Sequence, residues 1–265
     1  MSESRVAESG AGRFARVAVR GRFSVLFWML LAVIALPVVV PDGPTIRRIM
    51  AVALFVVMLS GLNAISSDRR GLIIGICLAA PAVALNWAGL GLGNYGLYLA
   101  SEFIYLAFFV YLAIHMLLWT LKKHQVDLET IYGAVSVYLL MALIWGIGYY
   151  TIALSDPGSI HLPAEDDLTE IQSMRAAGTD PEATSSEALD WRDISNSAQG
   201  TMMYYSFVTL TTLGYGDIYP TSDATRILAM LEATLGQLYL VILVARLVGL
   251  YTAQEMERRR KATPT

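Results

Sequence analysis

The sequence predicts an all-α membrane protein of six transmembrane helices, one shorter re-entrant helix and a non-helical segment at membrane depth. Three observations carry this expectation. Apolar residues make up 55% of the 265-residue chain and charged residues 15%, a composition that excludes an ordinary soluble domain. The charges stand between long uncharged runs rather than along helix faces, and several runs reach the roughly 20 residues that cross about 30 Å of hydrocarbon. Late in the chain a short apolar, aromatic stretch, 198–210, runs directly into Leu213-Gly214-Tyr215-Gly216-Asp217. A stretch that cannot span, followed by glycines, reads as a helix that enters the membrane partway and turns back.

Uncharged runs bounded by charge, Gly or Pro place the crossings at 23–40, 49–65, 71–90, 97–121, 131–154 and 225–251. Arg20 and Arg22 before the first run imitate a secretory signal, but Val38-Val39-Val40-Pro41 is not a small-residue cleavage site. An even number of crossings puts both termini on one side. With the termini inside, the inner set holds Arg5, Arg13, Arg16, Arg20, Arg22, Arg69, Arg70, Lys122, Lys123, Arg258, Arg259, Arg260 and Lys261, against Arg47, Arg48, Arg175, Arg192 and Arg226 outside. The positive-inside rule therefore makes the termini cytoplasmic. The stretch 155–197 carries ten of the acidic residues, from Asp156 to Asp193, and is expected outside, either as a merely solvated, partly disordered loop or as one whose field raises the local cation concentration.

The chain then divides into a cytoplasmic segment 1–22, a four-helix bundle 23–121, a linker 122–130, a second module 131–251 and a cytoplasmic tail 252–265. The linker's mixed charges suit a short helix along the cytoplasmic face. The lone cysteine, Cys77, lies within an apolar run, has no partner and serves as a small hydrophobe. No cofactor, enzymatic constellation or nucleic-acid interface is expected.

Non-helical backbone at membrane depth is tolerated where protein buries it or where water and ions line it. Glycines at alternate positions permit dihedrals closed to other residues, so that successive carbonyls turn toward one axis. A ring of such oxygens replaces the hydration shell of a cation. The run Tyr204-Tyr205-Ser206-Phe207-Val208-Thr209-Leu210-Thr211-Thr212-Leu213-Gly214-Tyr215-Gly216-Asp217-Ile218-Tyr219-Pro220 resembles the pore helix and selectivity filter of potassium channels of the voltage-gated-like, pore-loop superfamily.

That resemblance implies a pore helix 198–210, a filter 212–216 and an inner helix 225–251 in each subunit of a homotetramer. The carbonyls of Thr212, Leu213, Gly214 and Tyr215, with the Thr212 hydroxyl, would hold a queue of K⁺ ions, and Gly216 would make the outer turn. Leu213 replaces the commoner valine but contributes its carbonyl. Thr211, Asp217, Tyr204 and Tyr205 would support the filter, the two tyrosines as an aromatic cuff or as interfacial anchors. Val208 stands where some channels keep a carboxylate, so Tyr205 is the expected partner of Asp217. Tyr219, just outside, is the expected site of block by external tetraethylammonium.

In the inner helix the candidates for cavity and gate are Glu232, Gly236, Gln237 and Arg246. Gly236 reads either as a gating hinge, by resemblance, or as a close-packing residue. Glu232 reads either as a protonated residue bonded to the back of the pore helix or as a cavity charge. Arg246 suits a lipid phosphate or a gate contact, and Arg258, Arg259, Arg260 and Lys261 suit anionic lipid.

Four helices before a two-helix pore resemble a voltage-gated layout, yet between residues 97 and 121 the ionisable residues are Glu102 and His115. Voltage acts on displaced charge, about 2.3 kcal/mol per charge per 100 mV, so little voltage dependence is expected. His115 reads as a cytoplasmic pH sensor or as a packed polar residue.

Overall fold

A computed structural model describes residues 21–39, 44–123, 127–156, 158–161 and 191–262. Its elements are α1 (Arg22–Val39), α2 (Pro44–Ile65), α3 (Arg69–Leu92), α4 (Tyr95–Lys122), α5 (Leu128–Ser155), β1 (Ile160–His161), α6 (Trp191–Leu210), β2 (Tyr219–Pro220) and α7 (Asp223–Ala262). Among the described residues every regular element is a helix apart from one two-stranded ladder. Four of the helices, α3, α4, α5 and α7, are long and apolar enough over nearly their whole length to cross a membrane, and α2 is so over Arg48–Ile65. The apolar stretch of α1 is shorter, Arg22–Leu36.

Short polar residues set the helix boundaries. Asp68 caps α3 by accepting from Arg70 N, Asn94 caps α4 by accepting from Leu97 N, and Asp127 caps α5 by accepting from Thr130 N. α3 ends at Gly93, whose φ of 66° is the left-handed cap that glycine favours. α3 and α4 form an antiparallel hairpin, α4 lies along α5, and α1 packs on both α2 and α5. A large core joins α1, α2, α4 and α5 through residues such as Leu26, Leu30, Val57, Phe108, Leu112 and Leu140. In lipid this core holds by close packing rather than by exclusion of water. The outward faces of α1 to α4 carry Trp28, Phe55, Ile73 and Phe103, all exposed, and Cys77 lies on the same kind of surface.

Three boundaries differ from those expected. No separate helix forms in the linker among the described residues: α4 runs to Lys122, Lys123 is extended, and α5 starts at Leu128 on its Asp127 cap. Residues 124–126 lie outside the described residues. The re-entrant helix α6 begins at Trp191 rather than 198, because its first turns are polar and apolarity alone marks only the part that packs inside. α7 continues past 251 to Ala262, so its 40 residues reach about 60 Å at 1.5 Å per residue, well beyond a bilayer core. The acidic positions at 162–190 lie outside the described residues.

A second core gathers Tyr98 of α4, Tyr149 and Tyr150 of α5, Met202 and Tyr205 of α6, and Ile160 and Ile218 beside the ladder. Buried hydroxyls need partners. The Tyr98 and Tyr150 hydroxyls meet at 2.8 Å, and Tyr95 donates to Leu154 O at 2.9 Å, tying the start of α4 to the end of α5. These contacts fix the face of α5 on which α6 rests.

Candidate functional site

The site begins where α6 ends. The N–H groups that follow the helix fold back onto its last carbonyls: Thr211 N donates to Phe207 O at 3.0 Å, Thr212 N to Thr209 O at 2.9 Å, and Leu213 N to Val208 O at 2.9 Å. The helix's orphan carbonyls are thereby satisfied by the segment itself. Beyond this turn the backbone alternates. Thr212, Gly214 and Gly216 have φ of 57°, 59° and 82°, while Leu213 and Tyr215 between them do not enter that region. Glycine takes these values freely, whereas Thr212 does so at a cost. Among the described residues no N–H or O–H donates to the carbonyls of Thr212, Leu213, Gly214 or Tyr215. A run of left-handed residues at every second position carries its carbonyls as a free series of oxygen ligands.

Neighbouring side chains hold the two ends of this series. At the Thr212 end the Thr212 hydroxyl donates to Thr211 O at 2.7 Å and accepts from Gln237 Nε2 of α7 at 3.0 Å. The Thr211 hydroxyl donates to Phe207 O at 2.7 Å. At the Asp217 end Tyr204 donates to Asp217 Oδ2 at 2.8 Å. The partner of Asp217 is therefore Tyr204 and not Tyr205, which corrects the expectation. Successive helical residues point about 100° apart. Tyr204 faces the filter end, while Tyr205 turns to α5 and meets the Tyr149 ring edge-on at 4.9 Å. Leu213 and Tyr215 are exposed in the single chain.

α7 crosses the end of α6 at Gly236, where a Cβ would meet Leu210 O at 2.6 Å and Leu210 Cδ1 at 2.7 Å. The crossing needs a glycine for proximity, whatever else this position does. Glu232, one turn earlier, is fully buried behind α6. Its Oε1 lies 2.5 Å from Ser206 Oγ, which also donates to Ala142 O of α5 at 2.8 Å. The carboxyl is packed between helices and does not reach the surface of the chain. Arg246 donates to Leu121 O and, at 3.0 Å, to Lys123 O. It caps the C-terminal carbonyls of α4, where a cation also suits the helix dipole.

Ahead of α6, β1 pairs antiparallel with β2, setting Ile160 opposite Pro220 and His161 opposite Tyr219. Ser159 O accepts from Thr221 N at 3.0 Å and from the Thr225 hydroxyl at 2.8 Å. The His161 ring stacks on Tyr219 at 4.5 Å, leaving Tyr219 46% exposed and so open on its other side. In the bundle, Glu102 is buried against the Tyr98 hydroxyl, and His115 Nε2 lies 3.3 Å from Asp68 Oδ2. Arg259 pairs with Glu255 at 3.5 Å, while Arg260 is exposed and the side chains of Arg258 and Lys261 lie outside the described residues.

Sequence reasoning missed Ser206, Ala142 and the docking of β1. Ser206 stands inside the recognised motif, but nothing local marks it as the partner of a residue on another helix. A two-residue strand beside an acidic loop leaves no periodic trace.

A family model described as "Ion channel" matches residues 188–253, from just before α6 into the lower part of α7. No curated protein and no solved structure matches the chain. The match falls on the segment whose geometry forms the free series of carbonyls, and together they support a multi-pass membrane protein with an ion channel of the pore-loop type, a non-enzymatic function.

Proposed function

We propose that the chain is one subunit of a homotetrameric, potassium-selective channel that conducts K⁺ passively across a bacterial inner membrane, with both termini cytoplasmic. The observation that carries this proposal is the alternation of left-handed residues at Thr212, Gly214 and Gly216, with the carbonyls from Thr212 to Tyr215 free of other donors. Carbonyls in that arrangement replace the water around a cation, and one strand supplies only part of a ring, so about four chains are needed. α7 supports the same assembly, because Ile227, Met230, Leu235, Val241, Ile242 and Val248 are exposed along it in the single chain.

In this proposal α1 to α5 and α7 are the six crossings, α6 is the pore helix, and Thr212, Leu213, Gly214 and Tyr215 bind K⁺. Gln237 orients the Thr212 hydroxyl from below and Tyr204 fixes Asp217 from behind. Voltage dependence is weak, since α4 offers Glu102 and His115 where a sensor would need arginines. Arg259 and Arg260, near the end of α7, meet anionic lipid.

The test is the reversal potential of the purified protein in a planar bilayer, with potassium on one side opposed by sodium on the other, beside Gly214→Asp. A potential that follows potassium and is lost in the variant is the expected result. Equal permeation of sodium and potassium would replace potassium selectivity with a non-selective cation pore.

A further inference from the structure

The contact behind the re-entrant helix joins three elements at one hydroxyl. Ser206 Oγ of α6 lies 2.8 Å from Ala142 O of α5 and 2.5 Å from Glu232 Oε1 of α7. A serine hydroxyl has one proton, and a backbone carbonyl has none to give. If Ser206 donates to Glu232, the 2.8 Å approach to Ala142 O has no proton in it. If Ser206 donates to Ala142 O, the proton in the 2.5 Å contact must come from the carboxyl group. Only a neutral Glu232 satisfies both contacts at once.

The surroundings favour the same state. Glu232 is 0% exposed, and a buried carboxylate needs a cation or several donors. The titratable groups that face it are Tyr138 and Tyr149 from α5 and Tyr205 from α6, none of them basic. On its own helix Arg226 is held by Asp223 and Pro220 O, and Arg246 by the end of α4. The Tyr149 hydroxyl faces the Glu232 carboxyl, but neither it nor Glu232 Oε2 reaches a partner in ordinary hydrogen-bond geometry among the described residues.

We propose that Glu232 is a proton-dependent latch on the pore helix. As a neutral acid it donates a hydrogen bond to Ser206 Oγ, and Ser206, keeping its own proton, donates a hydrogen bond to Ala142 O. When base takes the proton from Glu232, the carboxylate and the carbonyl compete for one hydroxyl, and α6 comes loose from either α5 or α7. Because α6 carries the filter and ends against Gly236, its release changes conduction. The effect on conduction rests on the channel proposal, while the protonation state does not.

Two measurements on the full-length protein in lipid test the latch. Infrared difference spectra at neutral pH, unmodified protein against Glu232→Gln, should show a protonated carboxyl band that shifts in heavy water and is lost at alkaline pH. Potassium flux from liposomes should fall as pH rises in the unmodified protein. That alkaline limb should be absent in Glu232→Gln, whose amide still donates to Ser206, and in Ser206→Ala, which has no relay to break. An ionised-carboxylate band for Glu232 at neutral pH, or the same alkaline limb in both variants, overturns the latch. The carboxyl band without any flux keeps the protonated contact, overturns its control of conduction and counts against the channel proposal.

Discussion

Tyr204 and Tyr205 are adjacent in the chain and end on different sides of the same helix, one bonded to Asp217 and the other packed on Tyr149. The Tyr204 bond is open to solvent in the single chain, so water competes for both groups and its net contribution is small. Tyr204→Phe and Asp217→Asn should each lower the thermal stability of the assembled protein, and the double variant should lose no more than the larger single loss. Fully additive losses would show that the two side chains act separately. Gly236 makes a sharper case. A methyl group there meets backbone, the Leu210 carbonyl at 2.6 Å, and backbone cannot step aside as a side chain does. Gly236→Ala should cost about 1–3 kcal/mol by overpacking and, in the proposed channel, weaken potassium selectivity, because Leu210 is two residues from Thr212. A variant with wild-type melting temperature and selectivity would place the close approach elsewhere.

At the scale of elements, helix ends decide how the bundle is tied together. Asp68 caps α3 and also reaches His115 of α4 at 3.3 Å. The hydrogen bond from His115 is the main reason that the Asp68 carboxyl sits below the usual carboxylate range. A carboxyl held lower in the folded state than in the unfolded chain stabilises the fold above its unfolded value, and this contribution disappears as pH falls through the folded value. The fold should therefore lose stability at acid pH through Asp68. Asp68→Asn should flatten the acid limb of a melting curve taken against pH, and an unchanged limb would remove Asp68 from that account. The end of α4 is tied in a comparable way, by Arg246 of α7 bonded to Leu121 O and Lys123 O. That tie occupies the carbonyls at which the sequence suggested a linker helix, and it joins the bundle to the lower part of α7.

For the whole molecule, the division of labour is between a bundle closed on itself and a long helix left open. α1 to α5 enclose a core, whereas α7 shows apolar residues along much of its length. Lipid could cover such a face, but lipid would not gather the carbonyls of Thr212 to Tyr215 around an axis. The mass of the protein in mild detergent, from light scattering, should be four times the 29.0 kDa of the chain. A monomer that still conducts would contradict the tetramer.

The sequence by itself determined what depends on neighbours along the chain. Uncharged runs marked the helices, because hydrocarbon admits no unpaired backbone. Asp68, Asn94 and Asp127, short polar residues whose side chains cap the backbone next to them, stand where three of the helices start. Gly214 and Gly216 marked the segment that needs left-handed backbone. Only the tertiary structure decided the partner of Asp217, the crossing at Gly236, the docking of β1 on β2 and the meeting of Ala142, Ser206 and Glu232. Those three residues lie 64 and 26 positions apart along the chain. Which helix faces turn toward one another is set by packing across such separations, and a hydroxyl or a carboxyl looks the same in the sequence whether it faces lipid, a cavity or another helix.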